Sequence, residues 1–335
     1  MTAATVTTLT SDHLPAAAEL LAARQRMLRT GRPELPASFE EPGTHLDSLA
    51  AALAEDGSHG VIVLAADGRP GAFLLGAHRT PEIWGRAAWS PITGSAVDPS
   101  LGAAGVELLR DCYAAWSQHF VDRGIFRHYV HAPSDDPLAT EAWANTGFGR
   151  MQAHAVRPVI GLRADPPAGI TIRAATPDDL EAIRPLMTLI PEQLLKSPAY
   201  AIQLPEGYAA HRAGWTDELA HPEGPLLVAL EGERALAIAG FYEASNGPMA
   251  PDGAWELGVA MTLPEARGRG IMRALISAGL AEVAERGAVH CITDWRTASL
   301  AAARSWTALG WERTHHRLHR HVDERIAWAG RPITT

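Results

Sequence analysis

Leu263-Pro-Glu-Ala-Arg267-Gly268-Arg269-Gly270-Ile271-Met272-Arg-Ala-Leu275 is the stretch whose reading decides the fold. An apolar segment with strand character, Trp255 to Thr262, precedes it. It opens a segment, Gly268 to Arg286, in which Ile271, Leu275, Ile276, Gly279, Leu280 and Val283 are spaced for one buried helical face. A strand, a tight Arg/Gly turn and a helix start together predict an anion site. Free backbone N–H groups point outward there, glycines let a ligand approach the main chain, and the helix dipole favours negative charge. No Gly-Lys-Ser/Thr follows, so this is not a nucleotide P-loop. The glycines also lie too close together for the dinucleotide fingerprint.

Composition narrows the field. A chain of 335 residues is long enough for two domains, each with its own core. With 47% hydrophobic residues and mixed charges it reads as soluble and globular, and no run of about 18 apolar residues predicts a membrane span. Met1-Thr-Ala-Ala-Thr5 lacks the charged and apolar regions of a secretory signal. Cys112 and Cys291 are the two cysteines, too few for a disulfide framework or a four-ligand zinc site, so a cytoplasmic setting is expected. The net charge of −9 argues against nucleic acid as a partner and is compatible with a cationic small molecule.

The chain repeats itself. Residues 163–169, Arg-Ala-Asp-Pro-Pro-Ala-Gly, read as a linker. Before it, Thr5-Val-Thr-Thr-Leu-Thr-Ser-Asp-His-Leu14 matches Thr171-Ile-Arg-Ala-Ala-Thr-Pro-Asp-Asp-Leu180 at an offset of 166. Further on, Trp143, Gly147, Arg150 and Arg157 match Trp306, Gly310, Arg313 and Arg320 at an offset of 163. Near-constant offsets over so long a span point to duplication. The expected domains are therefore 1–162 and 170–335.

In the second half the pattern predicts a strand (Thr171–Arg173), helices (Asp178–Leu189 and Gly207–Ala220) and a hairpin (Leu226–Glu231 with Ala235–Tyr242). The strand Trp255–Thr262 and the Arg/Gly loop with its helix follow. Then come a strand (Val289–Asp294), a helix (Ser299–Leu309) and a final strand pair from Trp311 to Val322. The first half runs parallel, with Val61–Ala66, Gly71–Ala77, Ala87–Val97, Leu101–Arg123, His128–His131 and Ala139–Thr146.

This order and the loop resemble the GNAT superfamily of acetyl-CoA-dependent N-acetyltransferases, whose loop reads Arg/Gln-x-x-Gly-x-Gly/Ala. The resemblance covers the whole second half, and the layout is similar to tandem members of that superfamily such as mycothiol synthase. It implies an α/β (α+β) fold of two tandem GNAT-like domains, each a mixed, mostly antiparallel sheet flanked by helices. It also implies that Arg267, Gly268, Arg269, Gly270, Ile271 and Met272 hold the pyrophosphate of acetyl-CoA. Met272 stands where the family has Gly or Ala. By the same resemblance Ala260, Met261 and Thr262 supply the strand edge that holds the pantetheine arm and polarises the thioester carbonyl. No metal is expected. His315, His316, His319 and His321 lie near the end of the chain without the convergent partners a metal needs.

The two halves differ at the loop. Pro264 to Met272 falls on Pro99-Ser-Leu-Gly102-Ala-Ala104-Gly105-Val-Glu107. The first half loses both arginines and places Glu107 where a pyrophosphate would approach, so it is read as degenerate and not CoA-binding.

Direct transfer needs a base for the amine and benefits from an acid for the leaving thiolate. Glu256 is the expected base. If the strand has no bulge, alternation puts it on a face with Gly258 and Ala260, and burial raises its pKa toward a useful range. Pro91 stands at that place in the first half. The family's acid is a tyrosine in Asn-x-x-Ala-x-x-x-Tyr-x-x-x-Gly-Phe. This sequence has Ser299-x-x-Ala302-x-x-x-Trp306-x-x-x-Gly310-Trp311. An indole donates a hydrogen bond but is no acid near neutral pH. Ser299 is a candidate donor and equally a helix N-cap. Asp294, Trp255 and Trp306 are candidates to bind a small-molecule amine acceptor. Three readings stand at this point: an N-acetyltransferase, an inactive acyl-CoA-binding sensor or scaffold, and an O-acyltransferase.

Overall fold

The structure is a computed structural model. It describes residues 5–64, 68–80, 84–202 and 204–329. Ala66, expected at the end of a strand, lies outside them.

The first half opens with strand β1 (Thr5–Thr8), helix α1 (Leu14–Gly31) and helix α2 (Gly43–Ala54). Strands β2 (Ser58–Leu64) and β3 (Pro70–Arg79) form a hairpin. The segment expected as one strand from Ala87 to Val97 is broken into β4 (Ala87–Ser90) and β5 (Ser95–Val97). Pro91 is the reason: it has no N–H to give a ladder, and a tight turn, Ile92–Gly94, follows it. Helix α3 (Ala103–Val121), strand β6 (Arg127–Pro133), helix α4 (Pro137–Asn145) and strand β7 (Gly149–Pro158) complete this half.

The second half repeats the plan: β8 (Ile170–Ala174), α5 (Leu180–Met187), α6 (Leu189–Leu194) and α7 (Pro205–Ala220). The hairpin of β9 (Leu226–Glu231) and β10 (Arg234–Glu243) follows, then β11 (Trp255–Thr262). Helix α8 (Ile271–Glu285), β12 (His290–Arg296), α9 (Leu300–Ala308) and β13 (Glu312–His321) close the series. The final strand pair expected between Trp311 and Val322 is instead one long strand, β13, which finds its partner elsewhere.

That partner is β6. Pairing runs antiparallel from His315↔Pro133 to His321↔Arg127. Two compact units result. One comprises residues up to Ala153, Gly247–Met249 and everything from Thr314. The other comprises His154–Asn246 and Ala250–Arg313. The linker at 163–169 thus divides the covalent chain at a different place from the compact units, because the unit boundaries fall inside β7 and β13, with His154–Pro158 in the second unit and Thr314–His321 in the first. Within the first unit the strand order is β1-β2-β3-β4-β6-β13, with β5 beside β3. Within the second it is β7-β12-β11-β10-β9-β8. Both units contain a parallel pair, β4 with β6 and β11 with β12.

Matching devices confirm the duplication. Thr10 and Thr176 each form a capping box that starts the first helix of its half, closed by His13 and Asp179. Trp143 packs edge-on against Phe148 at 5.0 Å, and Trp306 against Trp311 at 5.5 Å. The first unit's core gathers Val61, Leu74, Val106, Trp116, Phe120 and Trp143 on the α3 side of its sheet.

Candidate active site

Strand β11 and its neighbours build the site. β11 pairs with β12 at Trp255↔Cys291 and Glu256↔Ile292, and beyond those residues the two strands part. At the fork the Thr293 hydroxyl donates to the Leu257 carbonyl at 2.8 Å. On its other side β11 runs along β10, with a register jump from Gly240↔Val259 to Phe241↔Leu257. The jump leaves Gly258 as the extra residue of a β-bulge, outside the ladder and exposed. Its neighbour dictates glycine here: a Cβ at 258 would come 2.9 Å from the Tyr242 ring.

The bulge corrects the expected alternation. Cross-strand partners share a face. Glu256 therefore stands with Tyr242, and past the bulge Val259 and Met261 join that face through Gly240 and Ile238. Ala260 and Thr262 lie on the other face with Leu257. Glu256 does not share a face with Ala260. Trp255, being adjacent, also points away from Glu256. It is 6% exposed, and the Arg286 guanidinium lies over its ring at 5.3 Å, so it is packed into the core.

The loop after β11 turns tightly into α8. Gly268 and Gly270 have φ of 76° and 81°, a region that L side chains rarely adopt. Gly270 is the N-cap of α8, and its carbonyl accepts from Ala274 N–H at 3.1 Å. The N–H groups of the helix's first turn have no intrahelical acceptor. A Cβ at Gly268 would meet nothing within 4 Å, and one at Gly270 only Pro167 at 4.0 Å, so the approach to the backbone is open. Ile271 anchors this turn by burying its side chain, while Met272 is half-buried. The arginine side chains are engaged with the protein. Arg267 Nε donates to the Thr262 carbonyl at 3.3 Å, and Arg269 pairs with Glu231 at 2.6 Å. The linker is tied to α8 as well. Ala164 N–H donates to the Ser277 hydroxyl at 3.1 Å, and that hydroxyl donates to the Leu162 carbonyl at 3.3 Å.

Burial, and secondly the charge of Asp294, raise the pKa of Glu256 above the ordinary glutamate value. Asp294 is exposed on β12, two residues past the last pair with β11. Tyr242 and Glu218 of α7 lie close enough to shift each other's titration, and sequence reading missed both residues. Ser299 occupies the N-cap position of α9 without a side-chain cap bond. Trp306 is buried against Trp311, and Trp295 lies under Arg313 at 5.8 Å. The histidines of β13 belong to the first unit. Among the described residues no group of three His, Cys, Asp or Glu is placed to hold a metal ion.

The corresponding place in the first unit is built differently. Gly105 is a packing glycine there: a Cβ would meet Val97 at 2.5 Å. Glu107 is turned to Arg110 at 2.9 Å. Arg24, 5% exposed, donates to the carbonyls of Ser95 and, at 2.8 Å, Ile92. Its guanidinium covers main-chain acceptors of the β5 edge, beside a cleft lined by Val97, Val106, Leu109 and Leu138.

A mixed sheet forked beside a bulge, with a glycine loop and helix N-terminus at the end of the bulged strand, is the arrangement of the GNAT fold. Residues 192–311 match the model of the acetyltransferase (GNAT) family. Solved structures extend the likeness in fold to nearly the whole chain. A GCN5-related N-acetyltransferase from Sphaerobacter thermophilus superposes with a TM-score of 0.59 at 18% identity, covering 95% of both chains. The GCN5-related glucosamine N-acetyltransferase region of a fungal multi-domain GH3 β-N-acetylglucosaminidase gives 0.54 at 14% identity, covering 95% of this chain and 38% of that one. No curated protein matches the sequence. The fold is thus two tandem GNAT-like domains, and the family supports acyltransferase activity.

Proposed function

We propose that the second unit transfers an acetyl group from acetyl-CoA directly to the amine of a small molecule, and that the first unit has kept the fold without binding CoA. One observation carries this reading. The exposed bulge residue Gly258, the half-buried Glu256 and the open turn Gly268–Gly270 lie along one strand and its loop. The first-turn N–H groups of α8 bind the pyrophosphate, with Arg267 and Arg269 adding positive charge. The β11 edge beyond the fork, Gly258 to Thr262, offers main-chain groups to the pantetheine arm. The Gly258 N–H, free of the ladder, polarises the thioester carbonyl. Glu256, with its raised pKa, takes the proton of the acceptor ammonium, and Asp294 attracts that cation to the same end of the fork. The amine then attacks the carbonyl carbon and the thiolate leaves. Buried Trp306 gives the thiolate no proton, so solvent or the ammonium product supplies it.

The test is a screen of small amines for release of free CoA thiol, with Glu256→Gln as control. Thiol release that requires an amine and falls about 10²–10⁴-fold in the variant supports the reading. CoA binding with no accepted amine would favour the inactive acyl-CoA-binding protein, the reading to which the buried Trp306 points. Release with alcohols alone would make the enzyme an O-acyltransferase.

A further inference from the structure

We propose that Tyr242 is a positioning residue, holding the β11 bulge in the shape that presents the Gly258 N–H to the acyl carbonyl. The inference rests on the acyl-transfer reading above. Its own ground is the packing of one ring over two glycines. Tyr242 pairs in register with Glu256 and shares its face. A Cβ at Gly258 would come 2.9 and 3.0 Å from the ring's Cδ2 and Cε2, and one at Gly240 would come 2.6 Å from the hydroxyl. The ring therefore lies along β10 and across the bulge, touching the two backbone positions where side chains are missing. Gly240 is also where the register jumps. The hydroxyl end of the ring lies within reach of the Glu218 charge on α7.

A catalytic acid would need a hydroxyl free to give up its proton. This one lies near a carboxylate, and burial, followed by the charges of Glu218, Glu223 and Glu256, pushes its pKa above that of an ordinary phenol. Tyr242 stays protonated, and its contribution is the shape it imposes. Without the ring, the bulged backbone loses the packing that fixes the direction of the Gly258 N–H.

The two ligands acetyl-CoA and CoA share every contact except the acyl group. Their affinity ratio therefore reads the Gly258 donor without requiring turnover. Titration calorimetry on the full chain should show acetyl-CoA binding about fivefold more tightly than CoA, the worth of roughly one hydrogen bond. Tyr242→Phe keeps the ring and should keep the ratio. Tyr242→Ala and Gly258→Ala should each bring it to one. In the double variant the new methyl meets no ring, so Gly258→Ala should add nothing to Tyr242→Ala. Should Tyr242→Ala fail to fold, Gly258→Ala decides alone. A ratio preserved in Tyr242→Ala or in Gly258→Ala overturns the proposal. Wild-type protein that binds CoA without preferring the acetyl form also overturns it, while leaving acyl transfer to the thiol-release screen. Protein that binds neither ligand brings down both readings.

Discussion

The guanidinium of Arg157 donates a hydrogen bond to the main-chain carbonyl of Leu309, 152 residues further along the chain. It also lies over the Trp311 ring at 5.1 Å, beside the positive-φ Gly310. Its repeat counterpart, Arg320, lies over Tyr113 at 5.4 Å and beside the positive-φ Gly147. Each arginine rides on the last strand of its half and packs against the end of the other half's helix. Arg157→Ala should lower stability by about 2 kcal/mol, from the lost carbonyl bonds and the cation–π contact. Chemical denaturation followed by tryptophan fluorescence would measure it. An unchanged midpoint would show that the contact carries no weight.

The exchanged strands make a stronger prediction. Residues 1–162 expressed alone lack β13, and residues 170–335 alone lack β7. Each fragment should be insoluble or unfolded by itself, because an exposed strand edge and an open core replace a pairing. Co-expression of the two should restore a soluble complex, visible by size-exclusion chromatography. A fragment that folds alone with sharp, dispersed amide resonances would contradict this.

The two loops predict one CoA site per chain. Gly270→Val should weaken CoA binding at least tenfold, since it strains a residue at φ 81° and places a side chain over the open backbone. Gly105→Val should leave CoA affinity unchanged and lower the melting temperature, because its Cβ meets Val97 at 2.5 Å. Calorimetric stoichiometry of two, or a Gly105 variant that loses CoA, would refute the assignment.

The base has a pH signature. Burial and Asp294 raise the Glu256 pKa, so its basic form is lost at a higher pH than for an ordinary glutamate near ~4.3. The acid limb of kcat/KM should therefore lie above that value and vanish in Glu256→Gln. Asp294→Asn removes a raising charge, so the limb should move to lower pH. Movement in the opposite direction would assign the ionisation to another group.

Asp179 links pH to stability with the opposite sign. The Arg173 hydrogen bonds, at 2.7 Å to each oxygen, are the largest cause holding its pKa down at about 2, and bonds from Thr176 assist. A depressed pKa contributes stability above the unfolded value of ~3.9, and that stability is lost as pH falls toward 2. The difference corresponds to at most about 2 kcal/mol. Asp179→Asn should flatten the stability profile between pH 4 and pH 2 by roughly that amount. Equal acid sensitivity of variant and wild type would remove Asp179 from the account.

Much of this was legible in the sequence because it is local. The Arg/Gly turn, the helix face from Ile271 to Val283 and the paired Thr10 and Thr176 starts are written in neighbouring residues. The bulge was not, since it depends on the Tyr242 ring reaching Gly258 from another strand. For the same reason the packing of Trp255 under Arg286 could not be read from the strand's own residues. The exchange of β7 and β13 escaped too. Nothing in either strand's own pattern says which of two similar sheets it joins, and the repeat that reveals the duplication makes both choices look alike.

The pairing of β13 with β6 also sets an order of construction. During synthesis the first unit emerges early but lacks its closing strand until residues 314–321 have been made. The earlier part of the chain is thus the later part to be finished. Until then β6 offers an unpaired edge, and the nascent protein spends most of its translation time with that edge waiting.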